Sequence, residues 1–461
     1  MPRIPLSNAV PTPSALVSRR LAHSLSSLDA PRRRAYSAVT APPRREHITV
    51  PCRSNGPISI DIFHAAVPSS PIVLYLPPGP VVPECSEEQD LVISTLLESS
   101  NATIARINYR ASSVHSYPAP CHDVLAGFDW VRENLLRDEF KRPYFAPLGV
   151  CGELMGGSLA TMLALTECRL GESRISAAAV NSPIVDWVFP DDLPFINPAE
   201  LPEPVAPDET AFPSDEDLGD SQALREEVTV AKPSRPRKKR APKPPPPTSW
   251  QAYGDDPVLP TLMLSGERDM LFRRPEDVFD RFASPIHFFR SPHAQLVLPD
   301  DDDTAASLPP LDPETQLELN HYASFDTSVK PAPVVPTLAR CRSYARIYPP
   351  SGTHLSLPAW KISAGLQNPL SDQTAELAKL LRRNVARHTL KSYAGRSRWH
   401  DATEKERYEE RAAERVQLES CAGLGLWAGM EEGAESRERV RGTGAWMKMR
   451  LEMGFSQARV G

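Results

Sequence analysis

Residues 148–160 pass from strand-like to helix-like sequence with almost no linker, and this junction restricts the possible folds more than any other stretch. Leu148, Val150 and Cys151 make an apolar run of the kind found in a buried strand, whereas Leu159, Met162, Leu163 and Thr166 recur at helical spacing. Between them stand Gly152, Gly156 and Gly157. A strand that reverses abruptly into a helix needs small residues on both sides of the bend, because the backbone there is strained and presents the side chain at its tip. The residue at the tip is Leu154. A bare G-x-x-x-G-G is a weak signal, so the flanking sequence has to carry the assignment.

Strand and helix patterns alternate on both sides of this junction. Ile58, Ile60 and Ile62 alternate as in a strand, and residues 72–76, 103–107 and 176–180 read the same way. Residues 87–98 carry Leu91, Val92, Leu96 and Leu97 at helical spacing, and residues 123–136 repeat this with Val124, Leu125, Phe128, Val131 and Leu135. Further strands are expected at 261–265 and 344–348, and a last core helix at 374–385 with Leu377, Leu380, Leu381 and Val385 toward the sheet. Alternation of this kind predicts an α/β protein with a mostly parallel central sheet and helices on both faces.

Composition narrows the functional classes. The net charge of −6 gives no signal for nucleic acid, and the seven cysteines contain no C-x-x-C, which argues against both a zinc site and a paired disulfide framework. No metal and no cofactor are expected. No apolar run is long enough for a membrane span. The first 45 residues hold eight arginines and a single acid, Asp29. That pattern is what a mitochondrial presequence looks like, with a disordered basic tail as the alternative. Residues 191–250 and 290–337 are rich in proline and charge, and are expected to be disordered insertions. Arg237-Lys238-Lys239-Arg240 is compatible with nuclear import or an acidic partner, so mitochondrial, cytoplasmic and nuclear locations stay open. Asp300 to Asp303 lack the alternating spacing of a calcium loop. The domain reading is therefore a tail at 1–45, a folded domain at 46–390 and a charged extension at 391–461 with helix expected at 404–419.

Taken as a set, these stretches resemble the α/β-hydrolase superfamily, in particular its fold-3 group of esterases and lipases related to hormone-sensitive lipase. That group has a strand ending in an H-G-G-G oxyanion loop, a strand ending in N-Y-R, and a helix opening with Y-P-A. The sharp bend, a G-x-x-D-x-L acid loop and a late G-x-H follow. The corresponding residues are Val73 to Gly79, Asn108-Tyr109-Arg110, and Tyr117-Pro118-Ala119 with Asp123 and Trp130. Gly266-Glu267-Arg268-Asp269-Met270-Leu271 and Gly352-Thr353-His354 complete the series, which runs in order from about residue 58 to 390.

The resemblance implies a carboxyl ester hydrolase fold in which Leu154 holds the nucleophile position, Asp269 the acid position and His354 the base position. Gly79 and Met155 are the oxyanion donors it implies. Leucine has no group that can attack a carbonyl, and Pro77, Pro78 and Pro80 around Gly79 have no N–H to offer an oxyanion. The expectation is therefore a non-catalytic pseudo-esterase that takes a small apolar or ester-like ligand, or a protein partner through its insertions. A second reading stays open: a weak carboxyl ester hydrolase in which Cys151, Glu153 or a water activated by His354 attacks. Cys151 reads more simply as a buried strand thiol and Ser158 as a packing residue of the helix.

Overall fold

A strand covered by helices on both faces has to be apolar along its whole length, and the two central strands of this sheet are. In the computed structural model, β3 (Ile72–Leu76) and β5 (Leu148–Glu153) are buried at every residue. The structure describes residues 44–52, 56–66, 70–82, 85–136, 146–170, 174–194, 196, 200–204, 212–213, 247–297, 336–350, 352–393, 402–427 and 434–458.

The sheet opens with the antiparallel pair β1 (Arg45–Cys52) and β2 (Gly56–Phe63). It continues through β4 (Thr103–Asn108), β3, β5 and β6 (Ile175–Asn181). β11 (Ala359–Gly365) and β12 (Val416–Cys421) complete it, giving eight strands in the order β1-β2-β4-β3-β5-β6-β11-β12. From β4 onward every pairing is parallel. Two short ribbons stand outside it: β7 (Phe212–Pro213) pairs with β10 (Tyr344–Ala345), and β8 (Ala294–Val297) with β9 (Thr337–Arg340).

Side chains alternate across the sheet with the period of two that a strand imposes. Ile72, Leu74 and Leu76 of β3 enter one core, and Val73 and Tyr75 enter the other. The first core is closed by α2 (Ala119–Asn134), α3 (Leu154–Thr166) and α6 (Ser371–Tyr393), through residues such as Phe128, Met162 and Leu381. The second is closed by α1 (Ser86–Ser100) and α8 (Ala434–Ala458), through Ile93, Leu96, Met447 and Leu451. These last two helices touch so closely that a Cβ at Gly444 would run into Ser99. Three further helices are α4 (Ser249–Ala252), α5 (Thr261–Leu271) and α7 (Ala402–Arg415).

The predicted α/β class, the strands β2 to β6 and the first three helices agree with the sequence reading, whereas β1 was not expected. The C-terminal third differs. Residues 261–265 open the helix α5 instead of forming a strand; its buried residues are Leu264 and Leu271, two turns apart on one face, while Leu262 is 83% exposed. The seventh strand of the sheet is β11, whose Trp360, Ile362 and Ala364 alternate into the core. Of the strand expected at 344–348, only Tyr344 and Ala345 pair, and they do so away from the main sheet.

Residues 391–461 are not an appendage. They supply α7, the edge strand β12 and the covering helix α8, so the boundary expected at 390 would cut the sheet. β12 lies parallel to β11 from Trp360↔Val416 to Gly365↔Cys421. The helix expected at 404–419 therefore ends at Arg415, and the helix expected at 374–385 is longer than predicted and is not the last. The leader expected at 1–45 and most of both insertions lie outside the described residues. Among the described residues no helix is long and apolar enough to cross a membrane.

Candidate functional site at the strand-to-helix bend

β5 passes directly into α3 between Glu153 and Leu154. Leu154 takes φ +51°, a left-handed conformation that costs an L-residue roughly 1–2 kcal/mol. The glycines around it make the bend possible: a Cβ at Gly156 would collide with the carbonyl of Pro77, and one at Gly152 with the carbonyl of Gly156. The strained bend is thus intact. Its tip, however, is not presented to solvent, because Leu154 is 0% exposed and belongs to the first core. Its carbonyl accepts from the Ile184 N–H at 3.3 Å, tying the bend to the loop that follows β6.

The two oxyanion positions come together. A Cβ at Gly79 (φ +81°) would lie 3.2 Å from the Met155 Cβ and 2.8 Å from the Tyr109 hydroxyl. The Tyr109 hydroxyl donates to the Pro77 carbonyl at 2.8 Å. Arg110 grips Asp123 through two charge-assisted bonds of 2.9 and 2.7 Å, which fastens the end of β4 to α2. The N-Y-R and Y-P-A stretches therefore build framework around the bend.

Asp269 and His354 do not come to Leu154. Asp269 lies on α5 with its side chain 71% exposed and paired to Arg268 at 2.9 Å; Arg268 also binds Asp192. His354 is exposed, and its carbonyl accepts from Leu170 beside the isolated bridge between Arg169 and Leu355. That bridge is past the far end of α3, and a helical rise of about 1.5 Å per residue puts it roughly 20 Å from Leu154. These two positions are corrected accordingly. They carry the right residue types in the right motifs, but on elements that the sheet order sends elsewhere.

In their stead, the loops after the seventh and eighth strands meet the bend with neutral groups. Asn368, three residues beyond β11, is fully buried; its Nδ2 donates to Ser182 Oγ and to the Leu424 carbonyl, each at 3.0 Å. Its Oδ1 accepts from the Leu370 N–H at 2.9 Å. The loop after β12 brings the Leu424 and Gly425 carbonyls and the Trp427 N–H into the same network. Asn181 bridges Glu153 Oε1 at 2.6 Å and the Gly425 carbonyl at 2.8 Å, and Ser363 donates to Asn181 Oδ1 at 2.7 Å. Glu153, buried at the bend itself, also accepts from the Trp427 N–H at 2.5 Å. Among the described residues these bonds involve one carboxylate, amides and hydroxyls, and no histidine.

A signal for this was present in the sequence. Gly365-Leu366-Gln367-Asn368-Pro369-Leu370 is the G-x-x-D-x-L acid loop with Asn in place of Asp, and Gly423-Leu424-Gly425 stands where the late G-x-H would fall. A search anchored on the ionisable residue passes over both.

The space above the bend is nearly closed. A cavity of about 20 Å³ remains among Tyr117, Met155, Leu159, Trp187, Phe272 and Phe282, enough for about one water. Trp187 and Tyr117 each pack against Phe272, with centroids 5.4 and 5.5 Å apart. Cys151 and Ser158 are not placed to attack either. Burial drives the Cys151 thiol far above its usual range, so it stays protonated and inert. The Ser158 hydroxyl is buried and faces the Ala283 carbonyl at 3.4 Å.

A mostly parallel eight-stranded sheet in this order, with a left-handed residue joining its fifth strand to the following helix, defines the α/β-hydrolase fold. Residues 74–285 match the family model described as alpha/beta hydrolase fold. No curated protein sequence matches the chain significantly. Similar solved structures include a hyperthermophilic esterase of the archaeon Pyrobaculum calidifontis, at 17% identity and a TM-score of 0.49, with 88% of this chain and 84% of that one covered. Carboxyl esterase 2 of the fungus Tuber melanosporum is another, at 12% identity and a TM-score of 0.49, with 91% and 90% covered. EstE1, a thermostable carboxylesterase from a metagenomic library, has 15% identity and a TM-score of 0.47, with 88% and 89% covered.

Proposed function

We propose that this protein is a pseudo-esterase, an α/β-hydrolase fold that binds a ligand or partner without hydrolysing esters. One observation carries the reading: the tip of the bend is a sealed leucine, and the loops after the seventh and eighth strands reach it with an amide and backbone groups rather than an acid and a base. Ester hydrolysis by this fold needs a group that attacks, a base that takes its proton and an acid that orients the base. Among the described residues at the bend no hydroxyl, thiol or imidazole is placed for these roles, and its one carboxylate, Glu153, is buried and engaged by Asn181 Nδ2 and the Trp427 N–H. Removing the nucleophile alone lowers turnover on the order of a million-fold in serine proteases, about 8 kcal/mol of barrier.

The reading with a water activated by His354 finds no support in the geometry, since His354 lies at the other end of α3. The test is turnover of a panel of p-nitrophenyl esters by purified wild type and Leu154→Ser. Neither should exceed the buffer rate, because a serine at the tip would have no histidine beside it and the adjacent Glu153 is tied to Asn181 and the Trp427 N–H. Hydrolysis by the wild type that disappears in His354→Ala would refute the proposal.

A further inference from the structure

A roomier cavity than the one over the bend lies elsewhere in the molecule. It has a volume of about 380 Å³, within the range of small-molecule sites, and lies between the loop after β6, the first turns of α6 and the stretch that follows β9. Its lining contains four arginines, Arg290, Arg340, Arg342 and Arg383, against three carboxylates, Asp186, Asp372 and Glu376, so positive charge is in excess.

The carboxylates are already engaged. Arg290 binds Asp186 at 2.8 Å and Glu376 at 2.9 Å, and Asp372 accepts from the Ser249 N–H at 2.7 Å. Arg290 and the neighbouring His287 and His293 hold the Asp186 carboxyl far below the usual range despite its burial, so it is charged and fully committed.

The remaining guanidinium charge is on the β9 side. Arg342 meets Glu203 at 2.7 Å, a carboxylate 59% exposed and therefore water-screened and replaceable. Arg340 has no carboxylate partner among the described residues, and its Nε is shielded from solvent without an acceptor. The same lining includes the apolar side chains of Val188, Trp250 and Leu380.

We propose that this cavity binds a small organic oxyanion, a carboxylate or phosphate monoester with an apolar body. Arg340 and Arg342 hold the head group in their planar forks, and Trp250 and Leu380 receive the body. The assignment is independent of whether the bend is silent, because the cavity and the bend share no side chain in the roles described. Isothermal titration of the full chain with phenylacetate, phenyl phosphate and neutral phenylacetamide tests it.

At least one of the two anions should bind and the amide should not; which anion binds more tightly identifies the head group. Arg340→Gln with Arg342→Gln should weaken binding about tenfold or more, and Arg132→Gln on the exposed face of α2 should leave it unchanged. Should the double variant fail to fold, Leu380→Trp fills the apolar side with every arginine in place and should abolish binding. Equal binding of phenylacetamide, unaltered binding by the folded double variant or by Leu380→Trp, or no binding of any probe to the wild type would overturn the proposal.

Discussion

Leu154 occupies a backbone conformation that a branched L-residue adopts only when its surroundings enforce it. Its complete burial is worth about 1.5–3 kcal/mol, which offsets the roughly 1–2 kcal/mol of left-handed strain. Leu154→Ala should accordingly lose about 2–4 kcal/mol in urea unfolding. Leu154→Gly forfeits the same side chain but relieves the strain, so it should be no less stable than the alanine variant and up to about 1 kcal/mol better. A glycine variant clearly weaker than the alanine one would show that the bend is not left-handed in solution. A second residue sets a pH dependence. Burial lowers the His287 imidazole to about 4, so between the unfolded value near 6.5 and about 4 only the unfolded chain takes up this proton. Stability should therefore fall as the pH is lowered through that window, by up to about 3 kcal/mol from this group, and level off below it. His287→Phe should flatten this part of the profile, measured by denaturant unfolding at successive pH values.

At the scale of elements, the C-terminal segment is part of the sheet rather than an extension of it. Truncation after Arg415 removes β12, the loop that binds Glu153 and Asn368, and α8, and exposes Trp360, Met447-facing strands and both sides of the eighth position. The truncated chain should show no cooperative unfolding transition, read by circular dichroism during a thermal scan. Gly444→Leu should cost at least about 2 kcal/mol, because α8 cannot move off α1 without parting the second core. The elements from β2 to β6 were legible because each is strongly patterned: β3 and β5 are continuous apolar runs, and α1 and α2 keep an apolar face; the half-exposed edge strand β1 was not. β12 was not, since an edge strand is half exposed and its V-Q-L-E-S-C merges with the charged helix before it. α5 misled in the opposite sense, as Thr261, Leu262 and Met263 look like strand while two of these three positions are largely exposed.

At the scale of the whole molecule, the fold keeps the strand-to-helix bend of an α/β hydrolase with a buried leucine at its tip. The bend, its glycines, the Gly79–Met155 approach and the Arg110–Asp123 clamp are in place. The bend and Leu154 could be read from sequence because sterics demand the glycines whatever the tip residue is. The partners of the bend could not, since they depend on which strands are seventh and eighth, and the stretches with Asp269 and His354 competed with residues 365–370 and 423–425, which carry no ionisable residue. The central claim is that no hydroxyl or thiol at the bend is available to attack an electrophile. Treatment of the wild-type protein with a fluorophosphonate probe, followed by peptide mass mapping, tests this most directly. The account predicts no covalent adduct on any residue around Leu154; a stoichiometric adduct on a side chain there would contradict it.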